Sequence, residues 1–335
     1  PERTYMGIDN RRDHRFGIPD PHLADELGLP HACTGCHADK PSNWAMEQTK
    51  PRRNTYARLT ASVRRHNPDA VGAAIDYIRD ASNPVIRRAT LLAGLPLTSD
   101  AASLSAATLR APDPMLREAA SRLLVFAPEN IRYDTLSMMA GDPDKAVRLN
   151  VARAMAPLLS RLPLDQARSL LPLISELQAS LRPDRVVDLT SLAALEVQLG
   201  RAGKGREIFR QALAMEPHYI PALLNLADLE RHEDEAASRA LLLKATELAP
   251  DSGAAMHSYG LALVRDKRLE EAVVYLARAL EQADAIPRYA YVYAVALDNV
   301  GKTEKSLAAL EKALEKWPNQ SDLASLMTVY RRKIR

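Results

Sequence analysis

The sequence predicts an all-α protein in which an irregular N-terminal segment precedes an α-solenoid of stacked helix pairs. Hydrophobic residues make up 47% of the chain and aromatic residues only 5%, so Ala and Leu, both good helix formers, supply most of the apolar surface. From about residue 56 onward, apolar helical patterns recur first every 30 residues or so and then every 33 to 34. A β-sandwich would need more β-branched and aromatic residues.

The N-terminal segment, residues 1–55, has Pro, Gly, Asp or Asn every few residues and no lasting helical period. We expect one or two short helices in it, around 22–27 and 41–48, and loops elsewhere. Structureless segments of this length are uncommon in folded proteins. A metal ion or a covalent cofactor is therefore expected to organise it.

The positive charge of the chain is concentrated near the N-terminus. The net charge is +3, and residues 1–66 contain eleven Lys or Arg against eight Asp or Glu, whereas the remainder contains 34 of each. Either a solvated helix face or a surface for an acidic partner or cofactor carboxylates would explain this excess. A neutral remainder without a nucleic-acid motif argues against nucleic acid as a partner. The densest run of cations comprises Arg52, Arg53, Arg58, Arg64 and Arg65.

Residues 56–182 are predicted to form HEAT-like repeats of two helices each. Stretches beginning at Asn83, Asp113 and Asp142 share an Asx-Pro start, an early basic residue and an Ala/Leu face. Asx is a natural N-cap, and Pro in the first helical position costs no hydrogen bond. The arginines that recur 30 and 31 residues apart are Arg87, Arg117 and Arg148.

Residues 183–319 follow the tetratricopeptide (TPR) pattern in four units. The second helix of a unit carries a small residue, a large apolar residue four positions later, an Ala three later and a Pro five later, although Asp284 replaces this Pro in the third unit. The small residue lets the two helices lie close together, and the Pro ends the second helix. The residues that fit are Phe209, Ala212 and Pro217; Leu242, Ala245 and Pro250; Ala272, Leu276 and Ala279; and Ser306, Leu310, Ala313 and Pro318.

Three further features complete the TPR prediction. Gly260 and Ala294 occupy the small-residue position of the first helix in the third and fourth units. The second TPR repeat is one residue shorter than the others, and the missing residue is placed in a turn near residues 232–236. Residues 320–335 are predicted to form the capping helix that such arrays need.

The only two cysteines of the chain lie in the sequence Cys33-Thr-Gly-Cys36-His37. A thioredoxin-like dithiol needs a βαβ unit, which nothing here indicates, and a structural zinc site needs four ligands, of which one CxxC supplies two. Covalent haem c uses all three residues, because both thiols bind the porphyrin vinyl groups and the His ligates the iron. Haem c is therefore favoured, with zinc and an unligated pair as alternatives.

A haem used for electron transfer usually has a second axial ligand. The candidates are Met6, His14, His22 and His31. His31 lies only two residues before Cys33, so it reaches the opposite face of the same ring with difficulty. His14 is far enough away to fold back over the ring, and His22 is intermediate.

Residues 4–45, TYMGIDNRRDHRFGIPDPHLADELGLPHACTGCHADKPSNWA, together with the repeats, resemble the C-terminal half of large multihaem c-type cytochromes fused to HEAT-like and TPR repeats. In that family the His of an Arg-Asp-His-x-Phe element is a distal haem ligand. The resemblance therefore implies this role for His14, towards the haem on Cys33 or a neighbouring one. His31 departs from the pattern, in which a non-ligating polar residue is expected.

The resemblance also implies a periplasmic protein that transfers electrons, with further haems in a part of the protein before Pro1. The leading hypothesis is that the haem exchanges electrons while the concave face of the solenoid docks a redox partner protein and the haem-bearing remainder of the same protein is a second partner. The alternative is a non-redox TPR/HEAT interaction scaffold whose cysteine pair is unligated or holds zinc. No catalytic residue is predicted, and no stretch approaches the roughly 20 apolar residues of a membrane span.

Overall fold

The computed structural model describes residues 2–5, 9–12, 20–29, 33, 37–41, 43–51, 54–65, 67–318 and 320–334. It divides into two compact units, Pro1–Val151 and Ala152–Arg335. Both units are built from packed helices, which confirms the helical-repeat part of the predicted fold class. The predicted boundaries at residues 55, 182 and 319 stay a prediction. None of the helices in the described ranges is both long and apolar enough to cross a membrane.

The first unit begins with an antiparallel ribbon that the sequence did not predict. Strands β1 (Glu2–Tyr5) and β2 (Asp9–Arg12) pair with Glu2 opposite Arg12. Neither strand has the alternation of apolar and polar residues that marks a half-buried strand. The short helices α1 (Pro21–Glu26) and α2 (Trp44–Glu47) lie where short helices were expected.

The first unit continues as a row of helices, the last of which extends past Val151. Helices α3, α5 and α7 lie side by side, while α4 packs on α3 and α5, and α6 packs on α7. The helices are α3 (Thr55–Arg64), α4 (Ala70–Arg79), α5 (Val85–Gly94), α6 (Ser99–Thr108), α7 (Pro114–Leu124), α8 (Glu129–Leu136) and α9 (Lys145–Met155). A 3₁₀ turn, Ser137–Gly141, follows α8.

Recurrent arginines fasten the helix starts of this row. Arg117 and Arg148, each the fourth residue of its helix, donate through Nη1 to the two backbone carbonyls five and six residues earlier, at 2.7–3.0 Å. Arg88 is the fourth residue of α5 and donates to the Ile78 carbonyl at 2.7 Å. Arg87 instead lies over the Tyr56 ring, 5.2 Å from its centroid. In helical register, therefore, Arg88 and not Arg87 is the counterpart of Arg117 and Arg148.

A buried ion pair joins two of these repeats. The guanidinium of Arg117 donates to both oxygens of Asp142 at 2.7 and 2.9 Å, with the Asp142 side chain only 3% exposed. Hydrogen bonds from Arg117 lower the pKa of Asp142 and outweigh its burial, which acts in the opposite direction. The Asx-Pro signature thus supplies an acceptor for the preceding repeat as well as a helix start.

The second unit is a series of helical hairpins. The long helix α10 (Leu164–Ser180) precedes four hairpins, and α19 follows them. Each hairpin consists of two helices joined by a short turn. The pairs are α11 (Val186–Gln198) with α12 (Ala202–Met215), α13 (Ile220–Glu230) with α14 (Glu235–Leu248), α15 (Gly253–Arg265) with α16 (Leu269–Glu281), and α17 (Pro287–Asn299) with α18 (Thr303–Lys316).

The two helices of a hairpin meet at small residues. Ser238 of α14 donates its hydroxyl to the Ala227 carbonyl of α13 at 2.7 Å, and Ser306 makes the same bond to Ala294 at 2.8 Å. In the third hairpin, a Cβ added to Gly260 would lie 2.8 Å from Leu276. A side chain larger than Ala would hold the backbones apart and break these bonds. The large apolar residues of the predicted pattern, Phe209, Leu242, Leu276 and Leu310, are buried beside these contacts.

Asp284 explains the missing proline of the third hairpin. Its carboxylate accepts hydrogen bonds from the backbone N–H groups of Gly253 at 2.8 Å and Ala254 at 3.2 Å, so it caps the start of α15. A Cβ on Gly253 would lie 2.5 Å from this carboxylate. Asp284 and Gly253 thus form a matched pair that a proline could not replace.

The last helix, α19 (Ser321–Lys333), packs on the fourth hairpin. Its inner face buries Leu323 and Tyr330 against the fourth hairpin. Lys333 donates to both oxygens of Asp298 at 2.8 Å, and Arg331 pairs with Glu311 at 2.9 Å. Its exposed residues are mostly polar, apart from Ala324 and Val329.

Replacing Gly260 by Ala should destabilise the second unit by about 1–3 kcal/mol, because the added methyl group overpacks the contact with Leu276. Gly203→Ala is the matched control, since no atom lies within 4 Å of its added Cβ. That control should leave stability unchanged or raise it by up to about 1 kcal/mol. Urea unfolding followed by circular dichroism measures both, and equal effects would contradict the close approach.

Candidate functional site

The described part of the cysteine motif consists of Cys33 and His37. The backbone N–H of His37 donates to the Cys33 carbonyl at 2.9 Å, which places the two residues one above the other. Cys33 is a half-buried free cysteine, and His37 is exposed. The His37 ring lies 4.7 Å from the Trp44 ring at a tilt of 49°. Cys36 lies outside the described residues.

Of the four candidate distal ligands, only His22 falls within the described ranges. It lies on α1, and its Nε2 is 2.9 Å from the Thr49 carbonyl oxygen. This contact joins α1 to the residues that follow α2, and it uses Nε2 of the ring. Met6, His14 and His31 lie outside the described residues. Across those that are described, no three His, Cys, Asp or Glu side chains form a metal-binding group.

Two arginines of the cationic run have structural partners. Arg58 donates to both carboxylate oxygens of Glu26, at 2.7–2.9 Å, and Arg65 contacts the Leu27 carbonyl. Both contacts fasten the end of α1 to α3. This use accounts for Arg58 and Arg65 without an external acid, while Arg52 and Arg53 lie outside the described residues.

The second unit has two depressions, one between the first helices of neighbouring hairpins and one between the first helix of the fourth hairpin and α19. The first lies between α13 and α15 and has a volume of about 80 Å³. Leu224 and Leu261 supply its apolar surface, and both are half-buried. Arg265 is exposed at its edge, and Arg231 is paired with Asp228 at 3.2 Å. We call this depression and the next one the first-helix face.

The second depression lies between α17 and α19 and has a volume of about 580 Å³. Ile286 and Tyr291 line it and are 47% and 39% exposed. Arg288 and Asp322 are its charged residues. A further depression of about 370 Å³ lies between α3, α5 and α7 of the first unit, where Ile86 and Met115 are exposed.

A buried histidine joins the third and fourth hairpins behind this face. His257 of α15 is 6% exposed, and its ring stacks on that of Tyr289 of α17 with centroids 4.3 Å apart. Neither ring nitrogen has a hydrogen-bond partner in the described part of the chain. Burial, helped by the positive charge of Arg288, lowers the pKa of His257 to about 4. His257 is therefore a neutral core residue.

Two buried carboxylates were missed by sequence reasoning. Glu196 and Glu230 are the eleventh residues of α11 and α13, where α15 and α17 have the buried residues Leu263 and Leu297. Burial raises the pKa of Glu196, but hydrogen bonds from Arg201 and Lys204 outweigh it and hold the pKa below its ordinary value. The sequence signal is the charged residue in an apolar repeat position.

Glu230 has a comparable environment. Its carboxylate accepts a hydrogen bond from Arg210 at 2.7 Å and lies 3.4 Å from Arg206 Nε. Charged groups satisfy both buried carboxylates, so neither forms an open site.

Comparison with known proteins gives only distant likenesses. No protein-family model matches this chain, and no curated protein matches it. The structure of TTC0263, a thermophilic TPR protein in Thermus thermophilus, is 19% identical, covers 61% of this chain and 98% of its own, and gives a TM-score of 0.41. MamA from Desulfovibrio magneticus RS-1 is 16% identical, with coverages of 52% and 97% and a TM-score of 0.37.

YrrB, a TPR protein with an unusual peptide-binding site, is 19% identical, with coverages of 58% and 97% and a TM-score of 0.37. Likenesses of this size concern the fold alone. The TPR-like character of the second unit follows from its own hairpins and their small-residue contacts.

Acid should destabilise the second unit through His257. Its pKa is about 4 in the folded chain and about 6.5 when unfolded, so the unfolded state binds more protons between these values. The contribution of His257 to the free energy of unfolding is therefore fully present above pH 6.5. It falls by about 3 kcal/mol as the pH drops to 4. His257→Phe should remove this component from urea unfolding curves, whereas replacing the exposed His218 by Phe should not; identical pH profiles for His257→Phe and the wild type would contradict the assignment.

Proposed function

We propose that this chain is a protein-interaction scaffold whose second unit binds an extended segment of a partner protein on the first-helix face. One observation carries the proposal: the first helices expose apolar side chains beside arginines that lack an ion-pair partner in the described ranges, Arg265 and Arg288. The hairpin core does not need these side chains.

The chemistry of the face suits a polypeptide. Leu224, Leu261 and Tyr291 can bury apolar side chains, and each fully buried side chain contributes roughly 1.5–3 kcal/mol. Ser258 and the arginines can hydrogen-bond to backbone carbonyls and acidic side chains. Open depressions of this kind fit a segment that lies across several helices better than a small molecule, which prefers an enclosed cavity.

A variant pair tests this proposal on the full chain. Peptides that bind are first selected from a random-sequence array and then titrated by fluorescence anisotropy. Leu261→Glu should weaken their binding at least tenfold, which is about 1.4 kcal/mol. Val274→Glu is the control, because Val274 is 56% exposed on α16, the second helix of its hairpin, and should change binding less than twofold. Equal effects, or an array without binders, would refute the proposal.

A second candidate function is electron transfer through haem c on Cys33, Cys36 and His37. The supporting observation is that the motif uses every cysteine of the chain, with Cys33 and His37 on one helical turn. The described residues fit the group: Cys33 is free to form a thioether, and the exposed His37 can present its imidazole to iron while Trp44 fixes the ring. When bound, haem supplies one-electron chemistry.

Under this second proposal the chain is periplasmic, because haem c is attached outside the cytoplasm. His14 completes the iron in preference to His22, His31 or Met6, and further haems and a redox partner complete the electron path. The first-helix face then docks that partner.

Coexpression with haem-attachment machinery tests the haem assignment. The wild type should show a Soret band and the mass increment of one covalent haem, and the Cys33→Ser/Cys36→Ser variant should show neither. A wild-type chain without haem, from cells that load a control cytochrome, would contradict the assignment. Zinc in the wild type by elemental analysis, lost in the double variant, would favour the zinc alternative. Peptide binding should survive the double variant, which separates the two proposed functions.

A further inference from the structure

We propose that the depression between α17 and α19 is an anchor pocket for one bulky apolar side chain of the partner segment, with an adjacent Asp or Glu of that segment paired to Arg288. This inference rests on the proposed scaffold function and names the chemistry of its ligand. It assigns a specific role to the capping helix, which supplies one wall of the pocket.

The size and lining of the pocket suit an apolar anchor. Its volume of about 580 Å³ leaves room for one bulky side chain. Tyr291 and Val292 of α17 form one side, and Ile286 and Pro287 form the rim. Leu323 of α19, which is 1% exposed, contributes from the opposite side. Aromatic and aliphatic walls of this kind accept Leu, Phe or Trp.

The charges of the pocket favour an anion over a cation. Arg288 and Asp322 both line it, but the helix dipole acts on their charges in opposite ways. Asp322 lies in the first turn of α19, where the positive end of the helix dipole compensates its charge. Arg288 lies in the first turn of α17, where the same dipole disfavours a cation. Arg288 is therefore the uncompensated charge.

The surroundings of Arg288 support this reading. Within the described part of the chain it has no ion-pair partner, and its side chain is exposed. Its positive charge reaches the buried His257 and adds to the fall in that residue's pKa. A carboxylate from a partner would give Arg288 the bidentate hydrogen bonds that it lacks.

Two labelled peptides test the proposal on the full chain. They share one Leu- and Phe-containing core of about ten residues, flanked in one peptide by Glu and in the other by Lys. The Glu peptide should bind at least tenfold more tightly, and Arg288→Glu should reverse this preference. Lys312→Glu is the matched control, since it makes the same charge change at an exposed residue of α18 that does not line the pocket.

Tyr291→Ala should weaken both peptides, because it removes the apolar wall. Arg288→Glu places an acid in the first turn of α17, which favours the helix, so loss of folding would not explain its effect. Equal binding of the two peptides, no binding of either, or indifference to Arg288→Glu would overturn the proposal. If array-selected peptides still respond to Leu261→Glu while ignoring Arg288→Glu and Tyr291→Ala, the anchor pocket fails and the scaffold function stands.

Discussion

The close approach of the two helices within each hairpin is the constraint on which the second unit depends. Ser238 and Ser306 reach across to backbone carbonyls of the facing helix, and Gly260 leaves no room for a Cβ beside Leu276. Because the small residues bring the backbones together, Phe209, Leu276 and Leu310 can fill the space beside the contact and become almost completely buried. A core that is packed in this way needs neither a cofactor nor cysteine.

This packing also determines which surface remains for a partner. The first helices of the hairpins use one side for their second helices, so side chains such as Leu261 and Tyr291 are left over on the other side. The buried carboxylate of Glu230 with its cations from α12, and the His257–Tyr289 stack, each join two successive hairpins. The first-helix face is thus formed by side chains that do not take part in hairpin packing. Their residue types are therefore not determined by the core.

The sequence predicted what depends on local, periodic spacing. The four hairpins and the helix after them follow from small and large residues at fixed distances. The second hairpin is shorter than the others because α13 has only 11 residues, and its turn, residues 231–234, is not the shortened part that the sequence predicted. The sequence did not predict what depends on tertiary neighbours: the cap that Asp284 gives to Gly253, the carboxylates Glu196 and Glu230 in apolar positions, the register of Arg88, and the depression beside α19. The haem assignment depends on neither periodic spacing nor tertiary neighbours. It rests on covalent chemistry that a fold does not reveal.

Native-state hydrogen exchange, resolved by residue over α15 and α16, tests the central claim most directly. If the contact at Gly260 makes the hairpin one cooperative unit, the amides in the middle of both helices should exchange with the same opening free energy. Both should lose protection equally as denaturant is added. Exchange of α15 at a clearly lower free energy than α16 would contradict the account, because the two helices would then be stable independently of their close approach.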